Sequence, residues 1–268
     1  MSNIRSSIYV FWLFGKMICC VQRVKIFSRN LMERKMKTLI IIPAYKEADN
    51  IERLVDNIIL NHPSYDYIII NDGSHDATRS ICQKRGYNFI DLPINLGIGG
   101  AVQTGYKYAE RIGYDVAVQI DGDGQHDVKH LDKVIAPLQD GHADIVIGSR
   151  FIEKKGFQSS SARRFGIHFL SRLIWLCTGK KILDVTSGYR AVNRKFIEIY
   201  AENYPNDYPE PEAIVEAVMH KGTIIEVPVV MKERQTGTSS IQSWKSAYYM
   251  IKVTLAILVC RISFGIRR

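Results

Sequence analysis

From residue 38 onward the sequence predicts an α/β fold: a mostly parallel sheet flanked by helices, followed by a C-terminal amphipathic helix. Three observations predict it. Short, uninterrupted apolar runs recur, and such runs read as strands buried on both faces. Segments with helical spacing separate them, as parallel neighbours joined by crossovers require. Three of the runs also end in polar clusters, and the C-terminal strand edge is where open α/β sheets hold their ligands.

The elements follow in order. Leu39-Ile40-Ile41-Ile42 is a strand stopped by Pro43. Asp49-Asn50 can cap a helix whose apolar face is Ile51, Leu54, Val55, Ile58 and Ile59. Tyr67–Ile70 is the second strand, and a helix from Asp76 through Ile81 leads to a short third strand at Asn88–Ile90. Gly97–Ile112 is a helix with a glycine-rich start. It does not carry GxGxxG in a first βαβ unit, which argues against a dinucleotide fold. Val116–Ile120 is the fourth strand, Val128–Leu138 a helix, Ala143–Ile147 the fifth strand and Phe165–Cys177 a helix.

The chemistry centres on Asp121-Gly122-Asp123-Gly124-Gln125-His126, directly after the fourth strand. Alternate residues of an extended segment point the same way, so Asp121 and Asp123 can share one target. With the amide oxygen of Gln125 they form a hard-oxygen set suited to Mg²⁺ or Mn²⁺. The other two strand-end clusters are Pro43-Ala44-Tyr45-Lys46-Glu47 and Asn71-Asp72-Gly73-Ser74. Tyr45 can support an aromatic base, and Glu47 or Asp72 can accept from base or ribose donors.

Charge divides the chain. Of the net +9, residues 1–37 carry +7 and residues 231–268 carry +6, leaving residues 38–230 at −4. Basic ends beside apolar residues point to an anionic membrane surface rather than nucleic acid. Cys19, Cys20, Cys82, Cys177 and Cys260 form no CxxC pair, which reads as reduced thiols without a zinc site. Residues 1–35 hold an apolar stretch, Ile8–Val21, that is short for a membrane span of ~20 residues. An interfacial anchor, a signal-like segment and sequence upstream of a start at Met36 compete as readings. The last is favoured, because the first strand opens just after Met36-Lys37. The domain reading is thus a basic and apolar arm over 1–35, a catalytic domain over 36–240 and a membrane-associating helix over 241–268.

Residues 38–240 resemble family-2 glycosyltransferases with the nucleotide-sugar-binding GT-A fold. They are most similar to the dolichol-phosphate mannose synthase group and its bacterial polyprenyl-phosphate relatives. The resemblance rests on the three clusters above, Gly148-Ser149-Arg150, Ser187-Gly188-Tyr189-Arg190, and Arg234 with Gly237 and Ser239. It implies that Pro43, Ala44, Tyr45, Glu47 and Asp72 hold the nucleotide of a UDP- or GDP-sugar. It implies that Asp121, Asp123 and Gln125 hold the metal, and that Arg150, Arg163, Arg164 and Arg234 handle phosphates. Asp121, Asp123 and Arg234 then carry catalysis. The chain departs from the family pattern at Asn71, at Ser240, and in the proline-rich helix start Tyr208-Pro209-Glu210-Pro211-Glu212, where Glu212 is a further motif residue.

With no covalent nucleophile in sight, direct displacement with inversion is expected. A sugar hydroxyl acceptor needs a base. A lipid monophosphate, with a second pKa of about 6, is already ionised and needs cations instead, which Arg150, Arg163 and Arg164 supply. The C-terminal run Tyr248–Phe264, broken by Lys252 and Arg261, fits an interfacial helix better than a span. A second apolar surface is expected over Phe165–Trp175. The expected function is transfer of a sugar to polyprenyl phosphate by a protein held peripherally at the cytoplasmic membrane face. The alternative is addition of a sugar to a growing cell-wall or capsular polysaccharide.

Overall fold

The computed structural model describes residues 36–153, 155, 156, 161–207, 209–232 and 243–266. In chain order the elements are β1 (Thr38–Ala44), α1 (Ile51–Asn61), β2 (Asp66–Asn71), α2 (Thr78–Arg85), β3 (Phe89–Asp91), α3 (Gly97–Ile112) and β4 (Val116–Gln119). A 3₁₀ turn at Val128–His130 leads into α4 (Leu131–Gln139), then β5 (Ile145–Ser149), α5 (Ser161–Thr178), β6 (Arg190–Asn193) and α6 (Arg194–Glu202). The chain continues with α7 (Pro209–Met219), β7 (Ile224–Pro228) and α8 (Ser243–Ile266). The strands form one sheet in the order β3-β2-β1-β4-β6-β5-β7. All neighbouring pairs are parallel except those of β6, which runs antiparallel between β4 and β5.

The five expected strands and their helices are present. β1 and β4 are buried along their whole length, as two-faced burial in the centre of a parallel sheet demands. Each buried Leu or Ile of β1 stabilises the fold by roughly 1.5–3 kcal/mol before the entropy of ordering the chain is counted. In α1 the buried face is Ile51, Leu54, Val55 and Ile58, while Ile59 falls off that face and is 45% exposed. Asn50 makes no side-chain cap; its amide nitrogen instead donates to Glu47 Oε2 at 2.8 Å.

β6 and β7 escape a search for apolar runs. β6 is Arg190-Ala191-Val192-Asn193, with only two apolar residues, and β7 is interrupted by Glu226. That glutamate has a structural task. Its two carboxylate oxygens accept the backbone N–H groups of Leu183 and Asp184, each at 2.8 Å.

The glycine-rich start of α3 serves packing. A Cβ on Gly99 would stand 2.1 Å from the Pro205 carbonyl oxygen, and Gly99 N donates to Asn206 O at 3.1 Å. Behind it, the rings of Tyr106, Tyr200 and Tyr204 meet with centroids 5.1–5.4 Å apart and fill the space between α3 and the segment after α6.

Residues 37–268 form one compact unit, and the expected arm over residues 1–35 lies outside the described residues. α8 packs on α7 and α5 through Val253 and Ile257, both buried. The two cations that break its apolar run are tethered: Lys252 pairs with Asp207, and Arg261 Nε donates to the Cys177 carbonyl at 2.9 Å. The outer face remains apolar, with Tyr248, Ile251, Leu255, Val259 and Ile262 all more than half exposed. No described helix is long and apolar enough to cross a membrane.

Candidate active site

Three strand ends meet in one cleft of about 370 Å³. β1 and the turn after it supply Pro43, Ala44, Tyr45 and Glu47, the β2 end supplies Asp72, and the β4 end supplies Asp121, Gly122 and Asp123. Asn95, Gly97 and Ile98, at the start of α3, close its other side. All five residues expected to hold the nucleotide therefore lie together, beside two of the three expected metal ligands.

Each is fixed by its surroundings. Tyr45 is 42% exposed, its ring open at the cleft with Lys46 Nζ 5.1 Å from its centroid. Glu47 is buried, with its backbone N–H on Thr78 Oγ1 at 3.0 Å. Asp72 Oδ1 accepts the Leu96 N–H at 2.7 Å. Burial raises the Asp72 carboxyl above the ordinary range, against the lowering by the Leu96 and Gly97 amides. Asn71 is turned away: its amide donates to Asp91 Oδ1 at 2.6 Å, and its buried Oδ1 has no partner among the described residues.

Asp121 has a tight cradle. Gln119 Nε2 donates to its Oδ1 at 3.1 Å, and its backbone N–H donates to His126 Nδ1 at 3.1 Å. His126 Nε2 stands 3.6 Å from Oδ2. Asp123 Oδ1 accepts the Gln125 N–H at 3.0 Å, closing an Asx turn. Gln125 is held through its backbone, its carbonyl accepting Lys232 N at 2.9 Å, and its side chain does not line the cleft. Two carboxylates on one wall are oxygen donors of the kind a hard divalent cation would take. No group of three or more ligating side chains is assembled among the described residues.

The expected phosphate-binding arginines separate. Arg150 is buried, with Nε and Nη2 each 2.7 Å from the Asp184 carboxylate and Nη2 also 3.1 Å from Thr186 Oγ1. Its fork thus braces the loop before β6. The buried carboxylate opposite it is a partner that the sequence reading did not include. Arg163 and Arg164 lie at the start of α5, with Arg163 exposed and Arg164 Nη2 donating to Ser161 Oγ at 3.1 Å. Ser187 Oγ donates to Gly148 O at 2.6 Å and so clasps two of the sequence motifs together. Gly188 faces Asp121. Arg234, Gly237 and Ser239 lie outside the described residues.

Of the acids at the start of α7, sequence reasoning picked Glu212, whose half-buried carboxyl is raised by burial and then by Asp207. Glu210 is the one coupled to the cleft. Burial raises it, Arg190 and Arg163 oppose, and the charge of Asp121 raises it further. Reading the motif alone missed Gln119, yet a glutamine inside Val116-Ala117-Val118-Gln119-Ile120 is an anomaly that points to it. His126 was visible in the motif, but only its contacts give it a task.

Comparison with known proteins agrees with the geometry. The family described as Glycosyl transferase family 2 matches residues 39–200. A UDP-N-acetylglucosamine–dolichyl-phosphate N-acetylglucosaminyltransferase of Methanococcus voltae is 33% identical over 210 residues, covering 71% of this chain and 83% of that one. A polyprenol monophosphomannose synthase of Mycolicibacterium smegmatis is 27% identical, covering 81% and 85%. Among solved structures, glucosyl-3-phosphoglycerate synthase of Mycobacterium tuberculosis, crystallised with Mn²⁺, UDP-glucose and phosphoglyceric acid, superposes with a TM-score of 0.65 at 17% identity, covering 86% and 81%. The expected GT-A fold is therefore the one observed. With the family matched over most of the chain and a relative a third identical across most of both sequences, the protein belongs to glycosyl transferase family 2 and is a glycosyltransferase.

Proposed function

We propose that this glycosyltransferase is inverting and metal-dependent, and that it moves a sugar from a UDP- or GDP-sugar to polyprenyl phosphate at the cytoplasmic face of a membrane. The observation that carries the reading is the convergence of Tyr45, Glu47 and Asp72 with Asp121 and Asp123 in one cleft. The names of the two relatives, both acting on polyprenyl phosphates, support the acceptor.

In this reading the base lies on the Tyr45 ring, and Glu47 and Asp72 accept from its ribose or ring donors. Asp121 and Asp123, with Gln125 as a further candidate, hold Mg²⁺ or Mn²⁺. Bound there, the cation neutralises charge on the departing nucleoside diphosphate. Arg234 is the proposed second clamp on that diphosphate. The acceptor phosphate is already an anion, so it needs no base, and Arg163 and Arg164 orient it for direct displacement. Arg150 acts behind them, holding the loop that carries Asp184 and Ser187.

The membrane part of the reading rests on the apolar outer face of α8 and on Phe165, Trp175 and Leu176 of α5, which are also more than half exposed. Asp123→Ala tests the donor half. Transfer should fall by two orders of magnitude or more while the melting temperature holds, because the residue ligates at a strand end. Full turnover in that variant, or turnover untouched by EDTA, would remove the metal from the account.

A further inference from the structure

His126 follows the expected metal ligands, and nothing in the reading above gives it a role. Its side chain is 4% exposed. It stacks on the fully buried Tyr189 ring, with centroids 5.0 Å apart and planes 22° apart, and its backbone bridges to Met231. The ring is therefore fixed in place and orientation before any ligand arrives. Its Nδ1 accepts the backbone N–H of Asp121 at 3.1 Å. A ring nitrogen that accepts carries a lone pair, so the proton sits on Nε2, the atom 3.6 Å from Asp121 Oδ2.

We infer that His126 is a positioning residue for Asp121. One ring fixes both ends of that aspartate: Nδ1 anchors its backbone, and Nε2 faces the carboxylate oxygen that Gln119 does not reach. Gln119 holds the other oxygen at 3.1 Å, so the carboxylate plane is defined from two sides. Tyr189 supplies the stop that keeps the imidazole from rotating away. Asp121 then presents its carboxylate to the cleft without having to be ordered when the nucleotide and cation bind, and ordering a side chain on binding is a recognised cost.

The inference rests on the proposed role of Asp121, and the test separates the two. The probe is Mn²⁺ together with whichever of UDP or GDP the wild-type protein binds more tightly, followed by calorimetry on the full chain with a thermal melt of each variant. An asparagine side chain can place an acceptor near the Nδ1 position, and a glutamine can reach only toward Nε2. His126→Asn should keep Mn²⁺–nucleotide affinity within about threefold of wild type. His126→Ala and His126→Gln should weaken it about tenfold, the loss expected for one buried hydrogen bond. Donor KM should rise with that loss. Affinity in His126→Ala within twofold of wild type would overturn the inference. So would an Asn variant as weak as the Ala variant, or losses that merely follow the melting temperature. Where the Ala variant does not fold, the contrast between Asn and Gln decides. Asp121→Asn is the control for the underlying reading: wild-type affinity in that variant removes the metal role of Asp121 and the inference with it, whereas a loss there with none in His126→Ala removes the inference alone.

Discussion

Gly188 makes room for the carboxylate of Asp121. A Cβ at position 188 would stand 2.9 Å from Asp121 Oδ2 and 3.1 Å from Gln119 Nε2, so the smallest side chain would push the carboxylate out of its cradle. Gly188→Ala should therefore lower transfer at least tenfold, chiefly through donor binding, with little change in melting temperature. Steady-state kinetics at varied nucleotide sugar would check this, and an alanine variant with wild-type donor KM would show that Asp121 is not held where the cleft needs it.

The Arg150–Asp184 pair makes a prediction about stability rather than ligand binding. Asp184 is fully buried and receives three bonds from Arg150, two from its guanidinium and one from its backbone. Removing one partner of a buried pair leaves the other charge unpaired, at a cost of about 3–5 kcal/mol. Asp184→Asn should show that loss in denaturant unfolding. Arg164→Ala, at a residue bonded to Ser161 on the same helix, should keep wild-type stability and lose acceptor use instead. Equal stability of Asp184→Asn and wild type would mean that the pair is not formed in solution.

How much of this was legible beforehand depended on whether a residue's neighbours were near in sequence. The strands β1, β2 and β4 were legible because continuous apolar runs state their own burial. The cleft was legible because each of its three walls is a strand end with a polar cluster. The Arg150–Asp184 pair was not legible because its members are 34 residues apart, and no local pattern shows that a buried carboxylate will meet the arginine. Glu210 and Glu212 could not be told apart from two acids in one motif, since only the packing of α7 decides which one couples to Asp121. β6 stayed hidden because two apolar residues are too few to reveal a period.

Glu216 gives the fold a pH dependence. Burial pushes its carboxyl up to about 7; the Asn203 amide, 2.8 Å from Oε1, opposes the shift and Glu212 adds to it. The folded state thus binds a proton that the unfolded state, near 4.5, has released. Its contribution is present below pH 4.5 and is lost as pH rises to about 7. Glu216→Gln should remove that slope, leaving the variant more stable than wild type at pH 8, relative to pH 5, by on the order of 1–3 kcal/mol. Melting curves at the two pH values would check it, and parallel pH profiles would contradict it.

The outer face of α8 is the proposed membrane contact. Leu255→Glu with Val259→Glu places two charges on residues 56% and 60% exposed, so folding should be unaffected while binding to anionic vesicles falls. Co-sedimentation with phosphatidylglycerol vesicles measures this directly. Undiminished binding would assign the membrane contact to another surface.

The central claim is the pairing of a nucleotide-sugar donor with a lipid-phosphate acceptor, and product analysis tests it most directly. The full chain would be incubated with Mn²⁺, a panel of UDP- and GDP-sugars, purified polyprenyl phosphate and, in parallel, soluble saccharide acceptors. The account predicts a single polyprenyl-phosphate sugar of inverted anomeric configuration, formed from one donor and abolished by EDTA. Efficient glycosylation of a soluble saccharide, with the lipid phosphate left untouched, would contradict it.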